Sequence, residues 1–163
     1  MPVFNSGFLR PLSVKKESTV LEDLNQALAA EVLAAFRYLY MSKIVSGISS
    51  LALSKLFAEI AEGEWEHAKL FMGRIIQLGG IPVSRPLEWE KRSFNPYAEP
   101  PRKGGDLKAM VRDALKFERS AVEFYQRLAQ RTRDTDIITY QLVIDTLVDE
   151  KNEEHKLVAL QES

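Results

Sequence analysis

The sequence predicts an all-α protein, an antiparallel four-helix bundle with one long crossover between its second and third helices. Three observations carry this. Four stretches of about 25 residues space their apolar side chains three and four apart, as one buried face of a helix requires. No stretch sustains the alternate-residue pattern of β-branched and aromatic side chains that marks a strand. Between the second and third stretches, IPVSRPLEWEKRSFNPYAEPPRKGG holds five of the seven prolines, which cannot continue a helix.

Each helix has its own start and stop signals. The first is expected from about Thr19 to Val45, ending at Gly47. The second follows a Ser49–Ser50 cap and ends at Gly79–Gly80, with Pro82 beyond. The third opens after Gly104–Gly105 with Asp106 as its cap, and the fourth follows the polar turn Arg131–Asp136. Short loops within each pair make two antiparallel hairpins. Residues 1–163 are therefore expected as one domain, with 1–18 a tail, 80–105 a crossover loop, and no room for a fifth helix after the fourth.

Composition narrows the functions. A chain of 163 residues with 45% hydrophobic and 28% charged residues is too apolar for disorder, and no run approaches the ~18 apolar residues of a membrane span. Lys+Arg 22 against Asp+Glu 23 gives a net charge of −1, which argues against a strongly basic nucleic-acid binder. The first sixteen residues carry Arg10, Lys15 and Lys16 and no acid, too little to expect DNA binding; Phe4, Phe8 and Leu9 suit a tail docked on the body or a neighbour. There is no cysteine, which excludes thiolate catalysis, thiolate metal sites and disulfides and leaves carboxylates and two histidines as metal ligands. The N-terminus has no apolar signal core, so a cytoplasmic location is expected.

The two hairpins resemble each other. Glu31-x-x-Ala34-x-x-x-Tyr38 recurs as Glu118-x-x-Ala121-x-x-x-Tyr125, and the acids Glu64 and Glu150 lie 33 and 32 residues further on. A pseudo-twofold bundle follows, with these acids at its centre. Each interrupts an apolar stripe: Leu24, Leu28, Glu31, Ala35, Tyr38 in the first helix; Leu53, Phe57, Ile60, Glu64, His67, Phe71, Leu78 in the second; Val111, Leu115, Glu118, Val122, Tyr125 in the third; Val143, Leu147, Glu150, Glu153 or Glu154, Leu157 in the fourth.

A buried, unpaired carboxylate costs several kcal/mol and takes up a proton rather than stay charged. Several converging at one level make sense when cations replace the lost hydration, and hard cations prefer oxygen and imidazole ligands. Glu64 and His67, three apart, lie on one helical face and can reach one ion together. A lone Glu-x-x-His is more often a solvated helix face; the fourfold pattern is what points to metal. Tyr38, Tyr125 and Trp65 read as packing.

The motifs LAAEVLAAFRYLY, IAEGEWEHAKLF, ALKFERSAVEFY and DIITYQLVIDTLVDEKNEEHKL resemble the ferritin-like di-iron family, nearest to its bacterioferritin and Dps-like branches, over Val20 to Gln161. That family builds its centre from one Glu on each of two helices and Glu-x-x-His on each of the other two. The resemblance implies two irons, with Mn or Zn able to stand in, and Fe(II) oxidation by peroxide or oxygen for iron storage and detoxification. Five of six ligand places match: Glu31, Glu64, His67, Glu118 and Glu150. At the sixth, the ungapped register puts Glu153 where the family has histidine, with His155 two residues late. Anchoring on His155 instead would turn Asp145 and Asp149 inward, or a helical bulge would rescue it. Five carboxylates and one imidazole leave −1 around two divalent ions, favouring higher oxidation states. Trp65 stands where bacterioferritin has its haem-ligating Met, so no haem is expected. The resemblance implies a homo-oligomeric cage, with a Dps-like dodecamer favoured. Two other readings stand beside it: a rubrerythrin-like di-iron peroxidase or oxygenase forming no mineral, and a metal-free bundle whose core acids pair with a base such as Arg37.

Overall fold

The computed structural model describes residues 19–161, so expectations about the tail lie outside the described residues. Five helices form: α1 Val20–Ile44, α2 Ser50–Gln77, α3 Pro86–Arg92, α4 Leu107–Thr132 and α5 Ile137–Gln161. Four are the expected bundle helices. The fifth, α3, corrects the expectation of an unbroken crossover loop. Pro86 starts it, because the first turn of a helix has no use for the missing N–H and the ring presets φ.

The termini follow local chemistry. Thr19 Oγ1 accepts from Glu22 N–H at 3.2 Å, and Asp106 Oδ1 accepts from Ala109 N–H at 3.0 Å. Ser49 does not cap α2 with its side chain as expected; its carbonyl accepts from Leu53 N–H at 3.3 Å instead. At α5, Asp136 accepts from Thr139 N–H at 3.0 Å and also from Arg74 of α2 at 2.8 Å, which ties the start of α5 to the end of α2. Gly79 closes α2 at φ +76°, in the left-handed region that suits glycine.

The helices α1 and α2 pack as one hairpin and α4 and α5 as another, with α1 meeting α4 and α2 meeting α5 across the bundle; α3 lies on α1. The apolar core falls into two halves. One holds Leu24, Leu28, Phe71, Ile75, Tyr125, Leu128 and Val143; the other holds Tyr38, Met41, Phe57, Ile60, Met110, Leu115 and Leu157. In sequence, Glu31, Glu64, Glu118 and Glu150 each fall between a member of one half and a member of the other, so the acid layer divides the core. On the outside of α1 and α2, a groove of about 1090 Å³ exposes Phe36, Leu39 and Trp65. No described helix is long and apolar enough to cross a membrane.

Candidate metal centre

One residue from α1, two from α2, one from α4 and two from α5 meet in the layer between the core halves. Glu31, Glu64, Glu118 and Glu150 are at most 1% exposed, His67 5% and Glu153 9%. Their ligand atoms form two overlapping groups, each within 4.8 Å: Glu31, Glu64, His67 and Glu150, and Glu64, Glu118, Glu150 and Glu153. Glu64 and Glu150 belong to both. All six residues singled out from the sequence thus come together, while His155 is exposed on α5. Within the expected α5 stripe, Val143 and Leu157 are buried, Leu147 is half-buried, and Thr146 takes an inward position.

The hydrogen bonding sorts these residues by what they can still bind. Tyr125 donates to Glu31 Oε1 and Tyr38 donates to Glu118 Oε1, so each of these carboxylates has one oxygen engaged. The repeated Glu-to-Tyr spacing therefore has a structural meaning that packing alone did not convey: each hairpin's tyrosine holds the other's glutamate. Among the described residues, Glu31 Oε2, Glu118 Oε2, Glu153 Oε2, both oxygens of Glu64 and both of Glu150 are buried without a hydrogen-bond partner. His67 Nδ1 is also unpartnered, 3.4 Å from Glu64 Oε2 and from Glu150 Oε1. Its Nε2 faces Asp149 Oδ2 at 3.3 Å. With a cation in place of the Nδ1 proton, a proton held on Nε2 by Asp149 would leave the Nδ1 lone pair for the ion. Asp149 went unrecognised because its side chain is 60% exposed and off the inner stripe; its place next to Glu150, level with His67, was the available signal.

Without a cation these groups resist ionising together. Burial, then Glu64 and Glu150, push the Glu31 carboxyl well above its ordinary value. Burial, then Glu150 and Glu64, do the same to Glu118. Burial followed by Glu64 and Glu150 raises Glu153 to about 9. Burial alone would lower His67, but Glu150 and Glu64 beside it outweigh that and carry it to about 11. Tyr38 is raised by burial and then by Glu118, so it stays a donor. Arg37 forms no ion pair with the acids among the described residues: it is buried, lines one small cavity with Asn95 and Tyr97 of the crossover, and its Nε and Nη2 have no partners there. The pairing with Arg37 that a metal-free bundle would use is therefore absent, and His67 is the one base among these acids in the described residues.

Comparison with known proteins agrees with this architecture. The bacterioferritin-related protein of Bacteroides fragilis, described as a dodecameric thioferritin, is 30% identical, with 86% of this chain and 82% of that one covered and a TM-score of 0.82. Dps from Staphylococcus aureus shares the fold at 17% identity, covering 87% of this chain and 94% of its own, with a TM-score of 0.80. A ferritin-like, diiron-carboxylate protein of Bacillus anthracis shares it at 24% identity, 87% and 94% coverage, and a TM-score of 0.74. No curated protein sequence matches the chain. The ferritin-like domain matches residues 21–162, nearly the whole length, and the chain belongs to that family.

Proposed function

We propose that the chain oxidises Fe(II) at this centre and, as an assembly of its own copies, stores and detoxifies iron. The observation that carries the reading is the overlap of two four-residue groups through Glu64 and Glu150, the two carboxylates with both oxygens unpartnered. A carboxylate with both oxygens available can offer one to each of two ions. Glu31 and Glu118, each with one oxygen held by a tyrosine, suit terminal ligation through the other. Glu31 and His67 would complete one position, Glu118 and Glu153 the second. The donor set of five carboxylates and one imidazole fits iron, Mn or Zn.

Fe(II) is the substrate, and each pair of ions gives up two electrons, the number that converts one peroxide and two protons into two waters. Oxygen serves as the alternative acceptor. The protein's contribution is to hold the ions together, to orient Glu31 and Glu118 through the hydrogen bonds that Tyr125 and Tyr38 donate to them, and to balance the higher charge after oxidation with a fifth carboxylate. The apolar groove on α1 and α2 supports self-association, since apolar surface of this extent is rarely left to water. The relatedness to a dodecameric protein favours twelve copies.

Stopped-flow absorbance of ferric product tests the reading. Glu64→Ala should abolish most of the gain over buffer, whereas His155→Ala should leave it intact. Equal rates for the Glu64 variant and the unaltered chain would reject it. A native mass near twelve times 18.5 kDa, about 222 kDa, supports the cage; about 37 kDa with no mineral would support the peroxidase reading instead.

A further inference from the structure

Of the lysines and arginines among the described residues, only Arg37 is buried, at 3% exposure. A guanidinium keeps its proton at any ordinary pH, so it cannot escape the cost of burial by neutralising, as a carboxyl can. Burying such a charge is expensive unless something pairs with it. None of the described residues does: Nε and Nη2 are both buried without a hydrogen-bond partner. Glu118 accepts from Tyr38, the residue after Arg37, and Glu99 of the crossover is exposed and faces Arg102 at 3.8 Å.

The guanidinium lines a cavity of about 10 Å³ closed by Leu33 and Ala34 of α1, Phe117 of α4 and residues 95–98 of the crossover. That is room for one atom of about water's size. The chain over it is tied down: Ser93 Oγ donates to the Asn95 carbonyl at 2.6 Å and accepts from Asn95 N–H at 3.2 Å, so both backbone groups of Asn95 are engaged with Ser93. In a planar guanidinium, Nε and Nη2 share one edge, and their N–H groups converge on a single acceptor.

We propose that this cavity binds one monatomic anion, chloride being the common one, held by the Nε–Nη2 edge of Arg37. A water molecule would accept from the guanidinium but leave its charge uncompensated between the apolar walls of Leu33, Ala34 and Phe117. Carboxylate, phosphate and sulfate each carry several heavy atoms and exceed the room. A halide supplies both the acceptor and the opposite charge, and it joins α1, α4 and the crossover at one point. No lining residue is among the six of the metal centre, so the site stands or falls apart from the metal reading. Leu33 and Tyr97 also line the apolar groove on α1 and α2, which makes a carboxylate from a second copy the competing occupant.

Melting of the full chain in sodium chloride against sodium gluconate, at one ionic strength and one protein concentration, tests the site. Raising chloride from about 1 to about 100 mM should raise Tm by at least about 3 °C, and bromide should do the same. In Arg37→Gln, which is uncharged, the response should vanish. Crystals grown in bromide give a second reading that needs no variant, an anomalous peak between Arg37 Nε and Nη2; should the Arg37→Gln chain not fold, this map and the response of the unaltered chain decide. A Tm that ignores chloride, or follows it equally in Arg37→Gln, overturns the proposal. A bromide peak without the chloride response would mean an adventitious ion only and overturns it as well. A neighbouring copy's carboxylate seated on Arg37 would replace it with an ion pair between subunits.

Discussion

Replacing Glu153 by glutamine removes one charge from the centre and keeps its shape, and the consequence for stability can be worked through. In the chelated protein the folded Glu153 carboxyl titrates near 9 against an ordinary 4.5, because burial and then Glu64 and Glu150 disfavour its charge. A carboxyl raised in the folded state contributes fully below the unfolded value, and that contribution is lost as pH rises towards the folded one. Between pH 5 and 9 the unfolded chain has released this proton and the folded chain still holds it, a difference of about 1.4 kcal/mol per pH unit. By pH 7 the folded state is disfavoured by about 3 kcal/mol through this group. Glutamine does not titrate, so Glu153→Gln should gain on the unaltered chain as pH rises from 5 to 8, by about 1.4 kcal/mol per unit. Urea unfolding at fixed protein concentration and excess chelator measures this directly. Metal works the other way: at a hundred times its Kd it stabilises the unaltered chain by about 2.7 kcal/mol, and the variant, one ligand short, should gain less. Stability curves for the two chelated proteins that run parallel over this pH range would refute the burial of Glu153 among like charges.

Asp149→Ala frees the Nε2 side of His67 and should weaken metal affinity about 10–100-fold at the His67 position while sparing the Glu118–Glu153 position, which two-site titration with Zn(II) resolves. Tyr125→Phe leaves Glu31 Oε1 without its donor and should cost the folded chain on the order of 1–3 kcal/mol in thermal melts, with Tyr38→Phe giving a matching loss through Glu118. Gly104→Ala would drive a Cβ into the carbonyl oxygen of Ile44, where the crossover returns against the end of α1. It should lower stability by about 2–3 kcal/mol with no change in metal stoichiometry.

The bundle was legible because its helices are amphipathic on their own account. Apolar spacing, glycine stops and the proline-rich crossover each act within a few residues, so the limits of α1, α2, α4 and α5 need no knowledge of the partner helix. The acids were legible for the same reason, since Glu31, Glu64, Glu118 and Glu150 stand where a local stripe calls for an apolar side chain. The register of α5 followed from Val143 and Leu157, and it places Glu153 inward and His155 outward. What lies across the bundle was not legible. The bonds from Tyr125 to Glu31 and from Tyr38 to Glu118 span more than 75 residues of chain, and the link from Asp149 to His67 joins an exposed side chain to a buried one. Periodicity along one helix decides which residues turn inward. Only the packing of four helices decides which of them meet and which oxygens remain free.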